Sequence, residues 1–254
     1  YRRRWAAVAA GCTMCLGPVY GPDVPVLIPL DDDNPTSIAP VVTVGLIAAC
    51  CAMFLVQLSA GREAGMRLVY ELGVVPAVLL GGARLEGTSG ALPPAATLVS
   101  SMFLHGGWLH LIGNMLYLWI FGNNVEDAMG YPRFVLFFLV CGVTAALCHA
   151  LIEPASIIPM IGASGAISGV LGAYALLYPR AQVLVAVPLG FFLHLAKFPA
   201  LLVLGIWFAV QIISSLAAKP GEPGVAWMAH VGGFVAGVVL VPLFKRRSVP
   251  LFGG

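Results

Sequence analysis

The sequence predicts an all-α polytopic membrane protein, a bundle of six transmembrane helices with a long structured loop between the first and second. Three observations carry this. Of 254 residues, 60% are hydrophobic and only 9% charged, against roughly 25% charged in ordinary soluble domains. The apolar residues gather in six runs, each near the length that a bilayer core of about 30 Å demands of a helix. No Asp or Glu falls inside any of the runs.

In chain order the predicted spans are 39–58, 108–125, 134–152, 164–178, 198–218 and 226–244. The first is charge-free. The second carries His110 and Asn114, and the fourth is short and rich in Gly and Ala. Segment 184–195 is also apolar, but Pro188, Gly190 and His194 interrupt it, so it is expected to be a linker near the interface. The connection at 59–107 is too long for a simple loop and is expected to hold helices lying partly in the outer interface. These spans define a membrane domain at 28–247, preceded by an N-terminal segment at 1–27 and followed by a tail at 248–254.

Lys and Arg set the orientation. With the N-terminus inside, Arg133, Arg180, Lys197, Lys245, Arg246 and Arg247 join Arg2 to Arg4 on the cytoplasmic side, against Arg62, Arg67, Arg84 and Lys219 outside. Both termini are therefore expected in the cytoplasm. A net charge of +2 without a basic run argues against nucleic acid as a partner. Cys50, Cys51, Cys141 and Cys148 lie in apolar runs and read as buried thiols. The Cys12/Cys15 pair has no second pair or nearby His to complete a metal site. No metal and no cofactor are expected.

Polar groups inside spans are costly and mark functional sites. Here they are His110, Asn114, Ser164, Ser168, Gln211 and His230. With the N-terminus inside, spans two, four and six all begin at the outer face, which puts His110, Asn114, Ser164 and His230 at similar depth. At 100° per residue, Gly233 and Gly237 share a face with His230, while Gly165, Gly169 and Ala173 recur every four residues on span four. Small residues at that spacing let helices approach closely, and a contact between spans four and six would bring Ser164 within reach of His230. A serine, a histidine and an amide donor together suggest an activated nucleophile with an oxyanion stabiliser.

At these positions the sequence resembles the rhomboid family of intramembrane serine proteases. The pieces are H-x-x-x-N at His110 to Asn114, G-x-S-G at Gly162 to Gly165 and H-x-x-G-x-x-x-G at His230 to Gly237, with FLHGGW at Phe103 to Trp108 and GNNVED at Gly122 to Asp127. The resemblance covers about residues 28–247. It implies that Ser164 is the nucleophile and His230 the general base, a dyad without an acidic third member. It implies that His110, Asn114 and the Ser164 backbone N–H hold the oxyanion, and that Gly162 keeps the loop before the serine open. It also implies that the substrates are transmembrane segments of other proteins, cut near the outer face. Some family members carry an aromatic residue one turn after the nucleophile, packed on the base. That position is Ser168 here, so the His230 ring needs another support.

Two other readings compete. A catalytically inactive relative, acting as a membrane-protein binding or quality-control factor, would typically lack the serine or histidine. A small-molecule transporter would show internal repeats and midplane charges. By its resemblance to the family's compact six-span members, the chain is expected in a prokaryotic inner membrane.

Overall fold

The computed structural model describes residues 28–85, 88–90, 92–189, 192–217 and 224–253. The basic stub at Arg2 to Arg4, the Cys12/Cys15 pair and Lys219 lie outside the described residues. A short strand, β1 (Ile28–Asp32), precedes the first long helix, α1 (Val41–Ser59). The expected structured connection follows, with α2 (Gly61–Leu72), α3 (Pro76–Leu79) and α4 (Thr97–Ser100), the last flanked by 3-10 turns at Pro94–Ala96 and Ser101–Phe103. Then come α5 (Trp108–Met129), α6 (Tyr131–Ile152) and α7 (Ser164–Leu177), a hairpin of β2 (Gln182–Leu189) and β3 (Phe192–Pro199), and finally α8 (Ala200–Ala217) and α9 (Trp227–Phe244).

A helix thus occupies each of the six apolar runs. By length and composition α1, α6, α8 and α9 can cross a bilayer, and α5 joins them when taken with segment 94–103, from which it bends by 83°. Helix α7 has 14 residues, about 21 Å of helix. Nearly all of it is buried, so neighbouring helices rather than lipid surround it and a full span is not required of it. The outward faces of the other helices expose Leu55, Leu109, Leu151, Leu216 and Leu243, while Thr43, Gln57, Asn114 and Gln211 are buried. An apolar surface over a partly polar interior suits a lipid solvent and would aggregate in water.

Two expectations need correction. Segment 184–195 is not a linker: it forms most of a β-hairpin. Strand β2 buries Val183 and Val185 against the bundle, and β1 pairs antiparallel on its other edge, with Ile28 opposite Ala186 and Asp32 opposite Val183. The second helix does not stop at Val125. It continues to Met129 and takes in Glu126 and Asp127, both buried. What makes their burial tolerable is donors. Glu126 accepts from the backbone N–H of Val42 at 2.9 Å and of Thr43 at 2.7 Å, serving the unpaired N–H groups and positive dipole end of α1. Asp127 accepts from the Ser37 hydroxyl at 2.8 Å and pairs with Arg246 at 2.6 Å, tying the start of α1, the end of α5 and the end of α9 together.

Helices α7 and α9 meet backbone to backbone. A Cβ on Gly233 would overlap the Gly165 carbonyl, one on Gly237 the Gly169 carbonyl, and one on Gly172 the Phe234 carbonyl. On α7's flank, a Cβ on Gly169 would lie 2.5 Å from the Cys141 side chain. The small-residue spacing of both helices therefore serves one close crossing.

The end of the bundle away from Ser164 carries the sheet. There the Tyr174 hydroxyl, on the last turn of α7, donates to Asp32 of β1. Burial pushes the Asp32 carboxyl up to about 6, with Asp31 and Asp33 adding to the rise and the Tyr174 bond opposing it.

Two outcomes are expected. Gly237→Ala forces the α7–α9 crossing apart and lowers stability by about 1–3 kcal/mol. Gly205→Ala on α8, where nothing lies within 4 Å of the added carbon, stays within about 0.5 kcal/mol; thermal melts in detergent separate the two. The raised Asp32 pKa means that the folded state binds more protons than the unfolded chain between about pH 4 and 6. Stability contributed by Asp32 is therefore greatest below that window and falls as pH rises through it, and Asp32→Asn removes this slope from melts taken across the window.

Candidate active site

The site sits where the first turns of α5, α7 and α9 converge. Ser164 opens α7, so the N–H groups of that turn lack intrahelical acceptors. His230 lies one turn into α9. The glycine crossing sets the two helices close enough that His230 Nε2 lies 2.8 Å from Ser164 Oγ. A hydroxyl hydrogen-bonded to an imidazole nitrogen is the geometry from which a base can take the proton as the oxygen attacks.

The FLHGGW segment positions His110. The Gln57 amide clamps the His105 backbone from both sides, accepting from its N–H at 3.0 Å and donating to its carbonyl at 3.2 Å. The His105 ring meets His110 edge-on at 5.2 Å, and Trp108 meets Phe54 at 5.0 Å. The Gly106 N–H then donates to His110 Nδ1 at 3.3 Å. A nitrogen that accepts carries no proton, so the neutral ring bears its hydrogen on Nε2.

Gly162 lies against this ring. Its φ is +118°, a conformation that side chains rarely adopt, and a Cβ there would sit 2.7 Å from His110 Nε2 and 3.6 Å from Asn114 Nδ2. Its own N–H donates to the Ser101 carbonyl at 2.9 Å, anchoring the loop that leads into Ser164. Asn114 is buried, and its Nδ2 has no hydrogen-bond partner. An idle buried donor is costly, and this one lies beside the chain that delivers the serine. All five predicted site residues thus gather at one end of the bundle.

Ser168 donates to the Ser164 carbonyl at 2.6 Å, the back-bond usual for serine in an apolar helix. The His230 ring instead has Trp207 of α8 tilted over it at 6.1 Å and Trp227 edge-on at 6.2 Å. Its Nδ1 lies 2.7 Å from Oε1 of Gln211. The sequence marked Gln211 as a polar residue out of place in a span but assigned it no part in the site. The signal available was the residue type alone. The buried acids are remote: Glu126 is sixteen positions beyond His110 on α5, about 24 Å along the axis. Among the described residues no three His, Cys, Asp or Glu side chains converge as a metal ion would require.

A family model, the Rhomboid domain, matches residues 94–247. The chain belongs to the rhomboid family. RHOMBOID-like protein 1 of Arabidopsis thaliana is 31% identical over 156 residues, 61% of this chain and 36% of that protein. Rhomboid protein 1, mitochondrial, of Saccharomyces cerevisiae is 30% identical over 152 residues, 56% of this chain and 40% of the relative. Rhomboid protease GluP of Bacillus subtilis is 32% identical over 158 residues, 61% of this chain and 27% of the relative. The chain spans well under half the length of each. Rhomboid membership together with the apolar helices makes this an integral membrane protein. The relatives come from a mitochondrion and a bacterium alike, so membership does not select the prokaryotic inner membrane.

The positive φ and crowding at Gly162 make a local test. Gly162→Ala should push the His110 ring aside while leaving the helices intact, seen as a His110 ring-proton shift in NMR spectra with an unchanged far-ultraviolet circular dichroism spectrum.

Proposed function

We propose that the protein is an intramembrane serine endopeptidase that cleaves transmembrane segments of other membrane proteins near the outer face, using Ser164 as nucleophile and His230 as general base. The observation that carries this reading is the 2.8 Å contact between Ser164 Oγ and His230 Nε2, in a chain whose Rhomboid domain match covers both residues.

The chemistry follows from the geometry. Ser164 Oγ attacks the peptide carbonyl carbon as its proton passes to His230 Nε2. The carbonyl oxygen, now negative, takes hydrogen bonds from Asn114 Nδ2, His110 Nε2–H and the Ser164 backbone N–H. Donors held by the fold before charge develops are effective because they need no reorganisation as it forms. The imidazolium then gives its proton to the leaving amine as the C–N bond breaks. Water, deprotonated by the same nitrogen, hydrolyses the acyl-enzyme. The positive end of the α7 dipole favours the negative intermediate, and Gly162 allows His110 and Asn114 to approach the serine loop.

The substrate is a membrane helix, locally unwound, because an intact helix keeps its carbonyls bonded internally. Small residues at the cut and helix breakers beside it meet that need. The Lys and Arg distribution puts the Ser164 end at the outer face and both ends of the bundle's chain in the cytoplasm.

Labelling purified, detergent-solubilised protein with a fluorescent fluorophosphonate tests the reading without a known substrate. Wild type should label, while folded Ser164→Ala and His230→Ala should not. Equal labelling of all three would overturn the assignment, and a folded wild type that does not label would favour a non-catalytic binding or quality-control role. Once a substrate is in hand, Asn114→Ala should lower kcat by about 10²–10³ with little change in KM, since the lost bond is made chiefly in the transition state.

A further inference from the structure

We infer that Gln211 is the third member of this site, a neutral positioning residue that holds His230 in the tautomer able to accept the Ser164 proton. The inference rests on the protease reading above for its function, but its geometry stands apart from that reading.

The imidazole of His230 has two nitrogens, and only the one facing Ser164 can act as base. Neutral imidazole carries a single N–H, which can sit on either nitrogen. With the proton on Nε2, the ring would face Ser164 as a donor and could not take the hydroxyl proton. Gln211 decides between the two forms. Its Oε1 lies 2.7 Å from Nδ1, and an amide oxygen only accepts. The amide's other end fixes which atom faces the ring, because Nε2 of Gln211 points back to the Trp207 carbonyl one turn earlier on α8, at 3.4 Å. Nδ1 must therefore carry the hydrogen, and Nε2 presents its lone pair to Ser164 Oγ at 2.8 Å.

Gln211 is 2% exposed, so water does not compete for its oxygen. The preceding turn of α8 brings Trp207 over the His230 ring, so one helix supplies both an orienting bond and a covering face. These contacts do the work that an aromatic residue at position 168 would do, and they explain how Ser168 can spend its hydroxyl on the α7 backbone. When His230 becomes an imidazolium, Nδ1–H donates more strongly to the same oxygen. The orienting bond therefore tightens as charge appears.

The test reads the tautomer directly. Full-length protein labelled with ¹⁵N-histidine, with His230 assigned by its loss in His230→Ala, should show Nδ1 protonated and Nε2 bare above the pH of ring protonation. Gln211→Met, which keeps bulk and removes the acceptor, should mix the two tautomers and lower kcat about 100-fold, with KM unchanged. Gln211→Glu restores an oxygen acceptor and should recover at least tenfold of the loss. A wild-type His230 protonated on Nε2, or a Gln211→Met enzyme with wild-type kcat, overturns the inference. If Gln211→Met fails to fold, the wild-type tautomer and the Gln211→Glu kinetics still decide it. An enzyme lacking Ser164-dependent labelling would remove the protease reading but leave the tautomer measurement to judge the Gln211 contact.

Discussion

The close crossing of α7 and α9 is the contact on which the rest depends. Lipid tails are as apolar as the helices, so no hydrophobic gain drives helices together inside a membrane. What remains is packing, and packing at carbonyl distance requires glycine. Gly165 and Gly169 on one helix and Gly233 and Gly237 on the other let the backbones meet. Ser164 and His230 stand at the ends of those two glycine rows, each next to the first close contact. The hydrogen bond between them is a consequence of the crossing, and any residue that widened the crossing would lengthen it.

Around this contact the polar groups are divided by charge. The end of the bundle opposite Ser164 holds the ionised network of Glu126, Asp127 and Arg246, with the three-stranded sheet beside it. Around Ser164 the groups turned inward are uncharged types: the imidazoles of His105, His110 and His230, the amides of Gln57, Asn114 and Gln211, and a hydroxyl. This division follows from cost. A carboxylate inside an apolar bundle needs several donors, and Glu126 finds them only at the start of α1. A neutral amide needs far fewer to be tolerated, so it can be placed where a carboxylate would be too expensive or would drag its protons with it.

Much of this was legible in the sequence because polar residues are conspicuous in an apolar chain. His110, Asn114, Ser164 and His230 stood out by type, and the four-residue spacing of the glycines said which helices would touch. The hairpin was less legible. An apolar run such as QVLVAVPL has the length and composition of a buried strand or of a broken helix, and its partner β1 lies some 150 residues earlier, beyond any local pattern. The end of α5 was missed because Glu126 and Asp127 look like a span's boundary when their donors are unseen. Those donors are Val42, Thr43, Ser37 and Arg246, which only the fold assembles. Gln211 shows the same limit. It was visible as an oddity, but a residue that acts through another reveals its role only when the partner's two nitrogens have directions.

Those directions bear on why the site can do without a carboxylate. In a water-exposed protease an acid behind the histidine both orients it and balances its positive charge. Inside a bundle the balancing carboxylate would itself have to be kept ionised in apolar surroundings, which costs several kcal/mol without further partners. An amide separates the two duties. Gln211 orients the ring through Oε1 without bringing a charge, and Trp207 and Trp227 present π-faces and edges around it. In the proposed mechanism, compensation of the imidazolium falls to the oxyanion that forms with it. In that mechanism the two charges would appear and vanish as a pair, which suits a site at the end of an apolar bundle.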